Sequence, residues 1–100
     1  MSPTGSIDRV DAALFLVERR MPAITDNELS MLRSILADAT RRFVGHDQHV
    51  THIRSIFLPA QGRCLSLFRA SSVEIVRAVN ESTLIPFVSI EPAFEILNSV

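Results

Sequence analysis

The chain has no lysine, no tryptophan and no tyrosine, one cysteine and three glycines in 100 residues. Without lysine there is no Schiff-base or amine-nucleophile chemistry, and without tyrosine no phenol can act as acid or base. All ten cations are arginine and every aromatic ring is one of six phenylalanines. The lone Cys64 closes no intrachain disulfide, so the chain does not read as a stapled secreted scaffold, and a cytoplasmic setting is expected. Residues 1–10 include Pro3, Gly5, Asp8 and Arg9 and lack the apolar run of a signal peptide. Nowhere is there a run of about 18 apolar residues, so no membrane partner is expected. Ten basic against eleven acidic residues leave a net charge of -1, which offers no polycationic surface and argues against nucleic acid. A nucleophile elbow, a glycine-rich phosphate loop, helically paired carboxylates and internal repeats are all missing.

What is present is 47% hydrophobic residues, enough for one compact domain. Residues 1–10 read as a disordered tail and 11–100 as the domain. Ala12 to Arg19 is a short apolar run without alternation, as in a strand covered on both faces. Thr25 stands three residues before Glu28, the pattern of a capping box. Leu29, Leu32, Leu36, Ala39 and Phe43 then follow at helical spacing, and the helix should stop before Gly45. Val50 to Leu58 and Arg63 to Ala70 read as a hairpin closed by Pro59-Ala60-Gln61-Gly62. Ser71 and Glu74 suggest a second cap, opening a helix through Val73, Val76 and Val79 that ends near Glu81. Pro86 to Ile90 reads as a last strand that Pro92 keeps short, with a further short strand possible through Phe94 and Ile96.

The order strand, helix, strand, strand, helix, strand implies an α+β, ferredoxin-like (βαββαβ) fold: a four-stranded antiparallel sheet with two helices on one face. The other face has no helix to cover it and carries apolar side chains. A second copy meeting it sheet to sheet is the expected cover, giving a homodimer and a dimeric α/β-barrel-like assembly. Leu16 and Phe57 are the residues expected in that interface. The alternative is that those side chains line a pocket or stay exposed.

Three histidines, His46, His49 and His52, fall within seven positions beside Asp47, the one dense group of nitrogen and oxygen donors in the chain. On an extended strand His49 faces away from the other two, so convergence needs a turn before Val50; solvated or hydrogen-bonded histidines are the alternative. Glu18 and Arg19 end the first strand, and one of them must point inward or to the sheet rim. A desolvated Glu18 could serve as ligand or base, or it could simply pair with Arg63 or Arg69 across the sheet. Cys64 could be a reactive or metal-bound thiolate, or a small core residue. Arg41, Arg42 and Arg54 could form an anion patch with His49 or His52, or a solvated face.

Phe15-Leu16-Val17-Glu18-Arg19, Met21-Pro22, Ile24-Thr25, Glu28-Leu29, Ser55, Phe57, Pro59, Cys64-Leu65, Phe68, Ala70 and Leu84-Ile85-Pro86-Phe87 together resemble a small uncharacterised bacterial family that includes an actinobacterial nickel-binding protein. The resemblance covers about residues 13 to 91. It implies a ferredoxin-like fold, dimers and, by way of the nickel-binding member, a role in metal binding. The chain departs from that family where Thr83 replaces the usual glycine of its Gly-Leu-Pro-Phe segment, and where phenylalanine stands at positions often filled by tyrosine.

Three functions compete on these grounds. The first is a small dimer binding a divalent transition metal such as nickel, with His49, His52, Glu18 and Cys64 as donors and His46 as a looser one. The second is a small cavity-containing enzyme, or a binder of haem or another organic ligand, with His49 near Phe57 and Phe68 the feature to watch. The third is a non-catalytic accessory or interaction subunit.

Overall fold

In the computed structural model, residues 13–45 and 48–96 are described. The expected tail over residues 1–10, together with His46 and Asp47, lies outside them. The elements run β1 (Ala13–Arg20), α1 (Asp26–Val44), β2 (Val50–Leu58), β3 (Arg63–Ala70), α2 (Val73–Ser82) and β4 (Ser89–Ala93). The sheet order is β2-β3-β1-β4 and every pairing is antiparallel, which is the ferredoxin-like arrangement. The sheet is open, ending at β2 and β4, and is not closed into a barrel, which corrects the expected barrel-like assembly. Four strands ending in a five-residue edge strand cannot supply the number and stagger that closure requires.

Local chemistry accounts for most boundaries. The Thr25 hydroxyl accepts from the Glu28 amide (3.2 Å) while the Glu28 carboxylate accepts from the Thr25 amide (2.9 Å), satisfying two helix-end donors reciprocally. Asp38 accepts from Arg41 (3.0 Å) and Arg42 (2.7 Å), so those two arginines belong to a solvated helix face and not to an anion patch. Gly62 sits at φ +62° at the hairpin turn, where a side chain would be strained and where Pro22 lies 3.0 Å from the place of a Cβ.

Two boundaries differ from expectation. Ser72, not Ser71, caps α2, its hydroxyl accepting from the Ile75 amide at 3.3 Å. The last strand runs over Ser89–Ala93 and includes Pro92, which an edge strand tolerates because one side of it needs no donor. Pro86 to Val88, expected to begin that strand, instead belong to the segment 83–88 that leaves α2 and crosses to the sheet. Phe94 and Ile96 lie outside any strand and are exposed.

Alternation sorts the sheet into two faces. Phe15, Val17 and Arg19 of β1 and Cys64, Ser66, Phe68 and Ala70 of β3 are buried against Leu32, Leu36 and Ala39 of α1 and Val76 and Val79 of α2. Leu14, Leu16 and Glu18 and, on β3, Leu65 and Leu67 therefore lie on the open face. In β2 the register shifts between His52 and Arg54. Ser55 pairs with Ser66 and Phe57 with Cys64, which sets Phe57 on the helix-covered side and Ile56 and Leu58 on the open one. Phe57 is thus not an interface residue; Leu16 does lie on the open face.

Candidate functional site

The inner face of β2 fails to pack tightly against α1, leaving a cleft of about 420 Å³. Leu29, Leu32 and Leu36 form the helix wall, His52, Ser55 and Phe57 the strand wall, and Cys64 reaches it from β3. Exposed Arg33 and Arg54 stand at its rim. The volume falls within the usual range for small-molecule sites, and a mostly apolar lining with a few polar groups is typical of them.

The polar groups are connected. His52 Nε2 lies 2.8 Å from Ser55 Oγ, and Ser55 Oγ lies 2.6 Å from Ser66 Oγ. His52 also packs on Phe68, ring centroids 5.1 Å apart. Burial lowers the His52 pKa, and the positive charge of Arg19 pushes the same way against an opposing backbone hydrogen bond at Arg54. The imidazole is therefore neutral near pH 7. Burial raises the Cys64 thiol, outweighing the opposing effects of Ser66 and Arg19, so Cys64 is a thiol and not a nucleophilic thiolate.

Of the two charges ending β1, the inward one is Arg19. It is 0% exposed, and Nη2 donates to Asn80 Oδ1 at 2.8 Å. Its carbon Cζ lies 5.8 Å from the Phe87 ring centroid, within cation–π range. Its Nε and Nη1 have no hydrogen-bond partner. Glu18, on the open face, accepts from Arg63 Nε (2.9 Å) and Nη2 (3.3 Å) and from Arg20 Nε (3.1 Å). The Arg63 hydrogen bonds hold its carboxyl below the ordinary glutamate range, with Arg20 adding to the effect and desolvation opposing it. Arg63, not Arg69, is its partner.

The expected donors are consequently dispersed. His52 and Cys64 line one cleft, Glu18 is on the other side of the sheet, His49 is exposed ahead of β2, and His46 lies outside the described residues. Among the described residues no group of three or more His, Cys, Asp or Glu side chains is arranged to hold a metal ion. The donor set does not fit a protein-bound metal of the usual coordination. Arg19, Ser55 and Ser66 were not singled out as site residues by the sequence, although Phe15, Val17 and Arg19 share a parity that points Arg19 inward.

No helix among the described residues is long and apolar enough to cross a membrane. No family model matches the chain, and no curated protein matches it significantly. Among solved structures, the chain is similar to SCO4226 from Streptomyces coelicolor A3(2), with 25% sequence identity, a TM-score of 0.65, and coverage of 88% of this chain and 100% of that one. The likeness to an actinobacterial protein supports a remote relationship and the shared fold.

Proposed function

We propose that this chain is a small-molecule-binding protein that holds an organic ligand in the cleft between α1 and β2 and works as a pair of copies joined through the open sheet face. The cleft itself carries the reading: about 420 Å³ of mainly leucine and phenylalanine wall, with a neutral imidazole and a serine hydroxyl as orienting groups. The pairing is supported by the leucines Leu14, Leu16, Leu65 and Leu67 clustered on the central strands of a face that no helix among the described residues covers, with Ile56 beside them still 53% exposed. Two such faces stacked at the usual separation of about 10 Å would form an ordinary sheet sandwich core.

Calorimetry with phenylacetate and its neutral amide tests the cleft. Saturable binding of one molecule per chain, abolished by Leu29→Trp in a protein that keeps its helical circular dichroism, is expected. Absence of saturable heat for both compounds overturns the reading, as does unchanged binding in the tryptophan variant.

A second reading, a divalent transition metal such as nickel, is favoured only by His52 and Cys64 facing the same cleft. Two donors, one of them a thiol that burial keeps protonated, make a weaker case than the organic ligand. Nickel titrated into tag-free protein at pH 7.5 and 5.5 separates the two; saturable heat at pH 7.5 that is lost in His52→Ala would favour the metal.

A further inference from the structure

Ser55 is exposed, yet its hydroxyl is directed at an imidazole. His52 Nε2 and Ser55 Oγ stand 2.8 Å apart, within the reach a base needs to take a hydroxyl proton. On a regular strand two residues three positions apart face opposite ways, and the register shift between His52 and Arg54 is what sets both on the cleft wall. With the ring proton on Nδ1, Nε2 accepts from Ser55, and Ser55 in turn accepts from Ser66, whose buried Oγ is 2.6 Å away. The imidazole is itself held by Phe68, ring centroids 5.1 Å apart, and burial keeps it in the neutral form that can receive a proton. A hydroxyl, a base in contact with it and a third group that orients the base are the parts of an activated nucleophile.

The surroundings suit acyl transfer. Leu32, Leu36 and Phe57 offer apolar walls to a substrate's acyl group. Arg33 lines the same cleft and no carboxylate does among the described residues, so negative charge developing on a carbonyl oxygen there meets a positive field. Because Ser55 is exposed, water reaches it as well.

We propose that Ser55 is a nucleophile and His52 its base, and that together they hydrolyse small esters whose apolar acyl group lies in the cleft. Ser55 Oγ bonds to the carbonyl carbon and its proton passes to His52 Nε2. The ester C–O bond then breaks, and the leaving oxygen keeps the electron pair and takes that proton. Water next attacks the acyl carbon and gives a proton to Nε2. The bond to Ser55 breaks, Oγ recovers the proton and the acid departs. The proposal rests on the cleft being a ligand site and adds the reaction and the substrate class.

The test substrate is p-nitrophenyl phenylacetate, given to the tag-free full chain. Release of p-nitrophenol should be accompanied by one phenylacetyl group on Ser55, located by mass spectrometry of acid-quenched protein. Ser55→Ala and His52→Gln should each slow the release at least about a hundredfold; glutamine can still hydrogen-bond Ser55 but cannot take its proton. Because His52→Gln could disturb packing on Phe68, an alkyl fluorophosphonate applied to wild type gives a second reading: it should label Ser55, and phenylacetamide should slow the labelling. Variants that release p-nitrophenol at the wild-type rate, acylation of another residue in place of Ser55, or a Ser55 that the fluorophosphonate leaves unlabelled or labels equally fast beside phenylacetamide overturns the proposal. Saturable binding of phenylacetamide alongside any of these results leaves the cleft reading intact. If neither phenylacetate nor phenylacetamide binds, the cleft reading falls and this one with it.

Discussion

Leu84 is the most informative single position for stability. It follows Thr83, the cap of α2, and has φ +62°, the left-handed conformation that helix ends usually assign to glycine. A side chain with a Cβ pays about 1–2 kcal/mol there. Leu84 recovers almost nothing by contact, being 90% exposed. Leu84→Gly removes that strain but adds roughly 0.5–1 kcal/mol of unfolded-state entropy. The net expectation is a gain of about 0.5–1 kcal/mol, which for a domain of this size raises the unfolding midpoint by roughly 2–8 °C. The backbone pattern should persist: the Leu84 amide donates to the Glu81 carbonyl (3.1 Å), and the Thr83 hydroxyl accepts from the Ile85 amide (3.1 Å). Differential scanning calorimetry of both proteins at one concentration decides the matter. A midpoint unchanged or lowered in Leu84→Gly would refute the argument that the left-handed residue is strained. Thr83, one residue earlier, has ordinary helical angles, so the strain is confined to Leu84.

Leu16→Asp should dissociate the pair: a two-fold interface contains the substitution twice, and at about 2–3 kcal/mol for each buried carboxylate the dissociation constant should rise by more than about a thousandfold. Sedimentation equilibrium checks this, and a wild-type chain that is monomeric at 100 µM as a chosen test concentration, roughly the range where even weak pairs are detectable, would sink the pairing. Glu18→Gln should destabilise at neutral pH, and because the Arg63 hydrogen bonds lower the folded-state pKa of Glu18, the deficit should shrink as pH falls through about 4 and below, where wild type is protonated as well. His52 has a lowered folded-state pKa, so the unfolded chain takes up the proton first; its contribution is present above about pH 6.5 and is lost as pH falls further. Thermal unfolding between pH 8 and pH 5 should accordingly fall more steeply in wild type than in His52→Gln, and parallel curves would contradict the burial argument.

How much of this could be read beforehand follows from the range of each signal. Thr25 and Glu28, or Pro59 and Gly62, act over three residues, and both the cap and the turn formed where they were expected. The α2 cap was displaced by one position because Ser71 and Ser72 offer the same hydroxyl, and only the strand's end at Ala70 decides between them. The last strand was misplaced because Pro86 and Phe87 look like its start, whereas the chain needs residues 83–88 to leave the helix through a left-handed Leu84 and to lay Phe87 against Arg19. Three histidines in seven residues form a local cluster, but a metal site requires donors brought together from different elements, which their spacing could not establish. For Glu18 and Arg19 the problem was narrower: one of the two had to point inward, and counting back to Val17 and Phe15 selects Arg19.

The cleft owes its existence to one irregularity in β2. With strict alternation His52 and Phe57, five positions apart, would point to opposite faces, and the imidazole and the ring could not share a wall. The register shift between His52 and Arg54 inserts one unpaired residue, Ile53, and resets the parity. Val50 and His52 before it and Ser55 and Phe57 after it thereby share the helix-covered face. The same step brings Ser55 opposite Ser66, where their hydroxyls meet at 2.6 Å, and bulges bend a strand locally, which accounts for the space left against α1. Deleting Ile53 would leave His52 and Phe57 four positions apart, on one face by regular alternation, but would remove the bend that holds β2 away from α1. The fold could then keep β3 and both helices as they are, yet the straightened strand would close toward α1 and narrow the cleft, so binding should weaken in a protein that still folds.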